Sequence, residues 1–97
     1  MILSKATAKN KKYKATFYRS NGTKKSISFG DNRYEDFTMH KDKQRKLKYQ
    51  SRHKSDNITN PMSAGALSYY ILWSKPSLRG GVKTYSDKFN IKVNIKL

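Results

Sequence analysis

Apolar and polar side chains change places every second residue in two stretches near the start of the chain. Tyr13, Ala15 and Phe17 alternate with Lys14, Thr16 and Tyr18, and Ile27 and Phe29 alternate with Ser26 and Ser28. A period of two predicts strands with one buried face, and Asn21-Gly22 between them predicts a hairpin turn. Parity selects the loop. A two-residue Asn-Gly loop would set Phe17 opposite Ser26 and scatter the apolar side chains over both faces. A three-residue loop over residues 20–22, with Gly22 at positive φ, sets Ala15 opposite Ile27 and Tyr13 opposite Phe29. The second register keeps one face apolar and is preferred.

The pattern then changes period. Residues 30–38 hold Asp31, Glu35 and Asp36 and read as a loop, with Thr38 placed to cap a helix. Residues 40–54 contain good helix formers and no breaker, which predicts a helix. Leu47 and Tyr49 fall on nearly opposite sides of it, so it lacks the apolar stripe of a packed helix. Asn60-Pro61 opens the next element, and residues 62–73 are apolar almost all round, as suits a central helix. Leu67 and Ile71 flank an aromatic run, Tyr69, Tyr70 and Trp73, which reads as core with one tyrosine exposed. After Pro76, Ser77 can cap a third, shorter helix along Leu78, Val82, Tyr85 and Phe89, which Gly80-Gly81 weakens by about 1 kcal/mol per glycine. Residues 91–97 alternate strictly and predict a strand that either completes its own sheet or joins a neighbour's.

These elements make a single α+β domain over residues 13–89: a hairpin, a basic surface helix, a central apolar helix, a third helix and a C-terminal strand. Residues 4–12 are small and basic without periodicity, so residues 1–12 read as a basic arm, and residues 90–97 read as a strand extension. The segment before Ser4 is too short for a signal-peptide core, and no run approaches the roughly 18 apolar residues of a membrane span, so the expectation is a soluble protein without a membrane.

Charge adds the functional signal. Lysine and arginine number 22 against 6 acids, a net charge of +16 on 97 residues. Such a chain repels itself until a polyanion or an acidic protein face relieves it. Lys41, Arg45, Lys48 and Arg52 follow the spacing i, i+4, i+7, i+11, which places them within about 60° of one another on a helix. Asp42 is the only acid between residues 41 and 54. A row of cations of one sign can follow a phosphate backbone, and Lys46, Tyr49, His53 and Lys54 lie beside it. The candidate nucleic-acid-binding residues are therefore Lys41, Arg45, Lys46, Lys48, Tyr49, Arg52, His53 and Lys54. Ile91, Val93 and Ile95 are the candidate residues for pairing with a partner strand, a route to self-association.

Other chemistry finds little support. Without cysteine there is no disulfide framework or thiolate metal site. His40 and His53 are thirteen apart, the wrong interval for a shared metal, and no acid pair stands by Tyr49 to serve phosphoryl chemistry. Gly80-Gly81 is not followed by the Gly-Lys-Ser/Thr of a phosphate-cradling loop. A non-enzymatic protein needing no cofactor is expected.

The run from His40-Lys41-Asp42 through Arg52-His53-Lys54, followed by Asn60-Pro61-Met62-Ser63-Ala64-Gly65-Ala66-Leu67-Ser68 and Ile71-Leu72-Trp73-Ser74-Lys75-Pro76-Ser77-Leu78-Arg79, resembles a family of small basic proteins. That family belongs to the nucleocytoplasmic large DNA viruses, the giant viruses of algae and protists, and the likeness spans residues 12–89. The resemblance implies a viral protein of the virion or of the virus factory in the host cytoplasm. The family's function is unassigned, so no site residues carry over. Gly80-Gly81 departs from the helix-compatible residues expected there, and residues 91–97 lie beyond the shared region. Two functions follow as expectations. One is largely sequence-independent nucleic-acid binding, DNA first, in genome packaging; neutralising about five to seven phosphates would give a logarithmic salt slope of about −5 to −6. The other is a minor capsid or scaffolding protein that bridges acidic faces of major capsid subunits through its basic surface and terminal extensions.

Overall fold

The computed structural model describes residues 1–53 and 57–97. The chain has a mixed α+β fold, in which a four-stranded sheet packs one face against helices to form the core. Strands β1 (Ile2–Lys5), β2 (Lys11–Tyr18), β3 (Lys24–Asp31) and β4 (Asn94–Lys96) lie in the order β3-β2-β1-β4. The β2–β3 hairpin has the register that parity selects, with Tyr13 opposite Phe29 and Ala15 opposite Ile27. Gly22 takes φ 86°, and the Arg19 N–H donates to the Thr23 carbonyl at 2.8 Å to close the three-residue loop.

The start of the chain differs from the sequence reading, and the end takes one of its two alternatives, a strand that completes the chain's own sheet. Instead of a basic arm, the first residues form β1, an inner strand antiparallel to β2, and Leu3 is wholly buried opposite Ala15. Strand β4 is shorter than residues 91–97 and runs parallel to β1, with Ile95 beside Leu3. Ile91, Val93 and Ile95 all pack against the core of their own chain. The terminal ammonium of Met1 donates to the Lys92 carbonyl at 2.8 Å, which ties both ends together.

The helices are α1 (Phe37–His40), α2 (Lys43–His53), α3 (Ala64–Leu67) and α4 (Leu78–Phe89), with a π-helical turn over Ser68–Leu72 continuing α3. The single helix predicted over residues 40–54 is divided. Asp36, not Thr38, caps α1, and Lys41 closes it in the left-handed conformation, φ 58°. Asp42 then starts a new helix, its carboxylate accepting from the Gln44 N–H at 2.9 Å and the Arg45 N–H at 3.3 Å. Local capping by this aspartate prevails over continuous helix propensity. The central helix begins three residues later than Pro61, capped by Ser63, whose hydroxyl accepts from the Ala66 N–H at 3.0 Å. Asn60 caps only the preceding turn.

The third helix is not the shorter one. At 12 residues α4 is the longest in the described chain, capped by Ser77 at one end and closed by Asn90 at φ 54°. Leu3, Ala15, Phe17 and Phe29 from the sheet meet Leu67, Ile71, Leu72, Val82 and Tyr85 from the helices in one core. The Tyr85 hydroxyl is satisfied there by the Pro61 carbonyl at 2.6 Å, and burial pushes its ionisation far above the usual tyrosine range. Strand alternation leaves Ser4, Lys14, Thr16, Ser26 and Ser28 on the opposite face of the sheet. No helix among the described residues is long and apolar enough to cross a membrane.

A basic cleft between helix α2 and the end of the sheet

Helix α2 has no fully buried residue, so it does not dock through an apolar stripe. Aromatic stacking holds it instead. Tyr49 lies parallel to Trp73, with ring centroids 4.1 Å apart and planes 3° from parallel, and His53 stacks on Tyr49 at 4.2 Å. Two rings at that distance cannot share one face, so Tyr49 is enclosed between them. Lys46 sits 5.0 Å from the Phe37 ring centroid as a cation–π contact. Leu47 points outward and is 63% exposed.

This attachment stands α2 off from the sheet and leaves a cleft of about 980 Å³. Its α2 wall carries Arg45, Lys48 and Arg52. Lys11 and Lys12 face them from β2, Gly30, Ala64 and Gly65 contribute apolar lining, and the buried Phe29 and Leu72 lie beneath it. The acids Asp31, Glu35 and Asp36 also border the cleft, yet each has a cationic partner. Asp36 and Lys12 pair at 2.6 Å with side chains only 4% and 12% exposed. Asp36 also accepts from the Thr38 N–H at 2.9 Å and from the Thr38 hydroxyl, so one carboxylate caps α1 and anchors the strand. The Arg33 guanidinium holds the Asp31 carboxyl down at about 2, its hydrogen bonds being the main cause. Glu35 reaches Arg45 only at 4.0 Å between exposed side chains, which is worth little in water. Lys11, Lys48 and Arg52 make no ion pair among the described residues. Burial and, secondarily, the Asp36 charge raise the ionisation of Tyr13.

The sequence-predicted site residues are thus only partly brought together. Arg45, Lys48, Tyr49, Arg52 and His53 line the cleft. Lys41 leaves the row because it closes α1 instead of continuing α2, and Lys46 is drawn to Phe37. Tyr49 spends both ring faces inside the protein and is not a free stacking surface. Lys54 lies outside the described residues. Neither Tyr69 nor Tyr70 is exposed: both are half-buried and pack edge to face, with centroids 5.0 Å apart. Lys11, Lys12, Tyr34 and Trp73 belong to the cleft and escaped the sequence reading. Parity held one clue, since Lys11 shares the face of Tyr13, Ala15 and Phe17.

Fold and cleft together define a small, strongly basic α+β protein with a concave cationic site. The chain belongs to a family of unknown function (DUF5754), whose profile matches residues 1–53. That span covers the three N-terminal strands, α1 and α2, and so includes the cationic wall of the cleft. No curated protein and no solved structure matches the chain.

Proposed function

We propose that the protein binds nucleic acid without catalysing a reaction, by neutralising phosphates in the cleft beside α2. One observation carries this reading: Arg45, Lys48 and Arg52 converge with Lys11 on a single concavity, and three of these four have no ion-pair partner among the described residues. A surface that merely solvates a fold mixes its signs, whereas here Asp36 and Asp31 are committed to Lys12 and Arg33, and Glu35 reaches only Arg45, weakly, at 4.0 Å. The net charge of +16 adds long-range attraction for a polyanion. Phosphate contacts position a nucleic acid without reading its bases, so binding is largely independent of sequence. A setting in a giant-virus virion or factory, which the resemblance implies, forms part of the same proposal.

The competing capsid reading leaned on the basic surface bridging acidic faces and on terminal extensions reaching into neighbouring subunits. Pairing of β4 with β1 inside the chain, and packing of Ile91, Val93 and Ile95 on its own core, remove the second of these supports.

Salt titration of a labelled duplex and of a labelled single strand by fluorescence anisotropy tests the proposal. Four phosphates neutralised by the four cleft cations give a logarithmic slope of about −3.6 on a duplex or about −2.8 on a single strand, shallower than the slope of about −5 to −6 expected for about five to seven phosphates. Replacing Lys11, Lys48 and Arg52 together by Gln removes about three quarters of the slope on the form that binds. Slopes near zero on both forms, or slopes untouched by the triple replacement, refute the mechanism.

A further inference from the structure

We infer that the cleft is shaped for a single nucleic-acid strand rather than a duplex, with phosphates along Arg45, Lys48 and Arg52 and an unstacked base on the Tyr34 ring. The inference rests on the nucleic-acid reading above and adds the form of nucleic acid.

Shape is the first argument. The cationic side chains line a concavity of about 980 Å³ instead of standing on a convex ridge. That volume matches sites that enclose a small ligand or a few linked units. A duplex could meet only the rim, whereas a flexible strand can enter and bring phosphates to both walls.

The second argument is chemical layering. Cations lie along α2, while exposed Ala64 and part-exposed Gly30, Gly65 and Trp73 offer apolar surface within the same cleft. A single strand is amphipathic in the same way, with charged phosphates along one edge and flat apolar bases on the other. A duplex hides its base faces in the stack and has no use for apolar lining.

Tyr34 is the third. Among the exposed large apolar or aromatic residues described, Tyr18, Tyr34, Met39, Leu47 and Leu97, only Tyr34 lines the cleft, and it is 69% exposed. Its segment is fixed on both sides. The Tyr34 N–H donates to the Asp31 carbonyl at 3.2 Å, Arg33 grips the Asp31 carboxylate at 2.8 Å, and the buried Lys12–Asp36 pair holds the far end. A solvent-facing ring on an anchored segment loses little entropy when a base stacks on it.

Anisotropy with a labelled twelve-nucleotide thymidine strand, and with a blunt duplex of equal length, provides the test. The strand is expected to bind at least about 10-fold tighter, because the duplex must unstack before a base can reach Tyr34. Tyr34→Ala should weaken strand binding by about 5- to 100-fold while leaving the salt slope unchanged, and Tyr34→Phe should retain wild-type affinity. Tyr18→Ala, about 20 Å along β2 from the cleft, should have no effect. Equal affinity for strand and duplex, or a silent Tyr34→Ala with the salt slope intact, overturns this inference and leaves the nucleic-acid reading standing. Failure to bind either form overturns both.

Discussion

Gly81→Ala separates local from tertiary physics, because the two predict opposite signs. Gly81 is the fourth residue of α4, and helix propensity alone makes alanine more stable there by about 1 kcal/mol. In the folded chain, however, a Cβ at Gly81 would lie 1.9 Å from the Ile71 carbonyl oxygen and 2.7 Å from its carbon. Both are backbone atoms of the π-helical turn and cannot rotate away. Restoring ordinary contact requires α4 to retreat by about 1.5 Å, and a gap half that size already forfeits a quarter to a half of each dispersion contact. Val82 and Tyr85 would draw back from Leu67 and Ile71, which are wholly buried. Overpacking of this kind costs about 1–3 kcal/mol or more, and loss of the core contacts adds to it, so the net expectation is destabilisation by about 2–4 kcal/mol. For a domain of this size that lowers Tm by roughly 10–25 °C. Gly80→Ala is the paired control. Its Cβ would crowd the Ser77 hydroxyl at 2.9 Å, and this hydroxyl caps α4, so propensity gained and cap weakened offset to within about 1 kcal/mol. Thermal and urea unfolding followed by circular dichroism and Trp73 fluorescence measure both. A Gly81→Ala protein as stable as the parent would mean that α4 and the π turn are not in contact, and the packing argument would fail.

Two further predictions concern the charges that hold the rim of the cleft. The folded Asp31 carboxyl is lowered to about 2 from the ordinary 3.8, so its contribution to stability is complete above pH 3.8 and disappears as pH falls through 2. In Arg33→Gln, carboxyl NMR should find Asp31 titrating above 2 but still below 3.8, because the backbone N–H of residue 33 and the Lys11 charge remain, and an unchanged midpoint would show that the Arg33 side chain is not the main cause. Lys12→Met leaves the buried Asp36 carboxylate without its cation and should cost about 3 kcal/mol in urea unfolding, whereas adding Asp36→Asn should recover most of the loss. Additive losses in the double variant would refute direct coupling between the two groups.

How much of this was legible depended on whether the deciding interaction was local. The hairpin register followed from parity because Ala15, Ile27, Tyr13 and Phe29 need one face and the loop has only a few lengths available. Helix α4 was legible from the spacing of Leu78, Val82, Tyr85 and Phe89 and from Ser77, although its length was underestimated because the close approach that requires Gly81 is tertiary. Strand β1 was missed for the same reason. Ile2 and Leu3 make too short an apolar run to signal a strand alone, and their partners lie at residues 15–16 and 94–95. The break at Lys41 had a local cause that continuous propensity obscured, since Asp36 and Asp42 are each good caps. As for the site, spacing found the three cations of the α2 wall. It could not find Lys11 or Tyr34, which reach the same cleft only after the sheet and α2 are brought together.

The attachment of α2 has a dynamic consequence that bears on how the cleft is filled. Its described fixings include the Tyr49–Trp73 stack, the tilted Tyr49–Tyr69 pair, the Lys46 contact with Phe37 and the exposed Arg45–Glu35 pair, each worth about 0.5–1.5 kcal/mol or less. No α2 residue is fully buried, whereas β2 and α4 place Ala15, Val82 and Tyr85 in the core. Helix α2 should therefore open by itself while the sheet and α4 stay folded. A polyanion lying between Lys11 on β2 and Lys48 and Arg52 on α2 would bridge the two walls and close that opening. Native-state hydrogen exchange should find α2 amides exchanging through openings of only a few kcal/mol and β2 amides near the global limit, with bound oligonucleotide slowing α2 most. Tyr49→Ala should speed exchange in α2 and leave β2 unchanged. Should α2 in the free protein prove as protected as β2, the helix would be held by far more than these contacts, and this account of its attachment would be wrong.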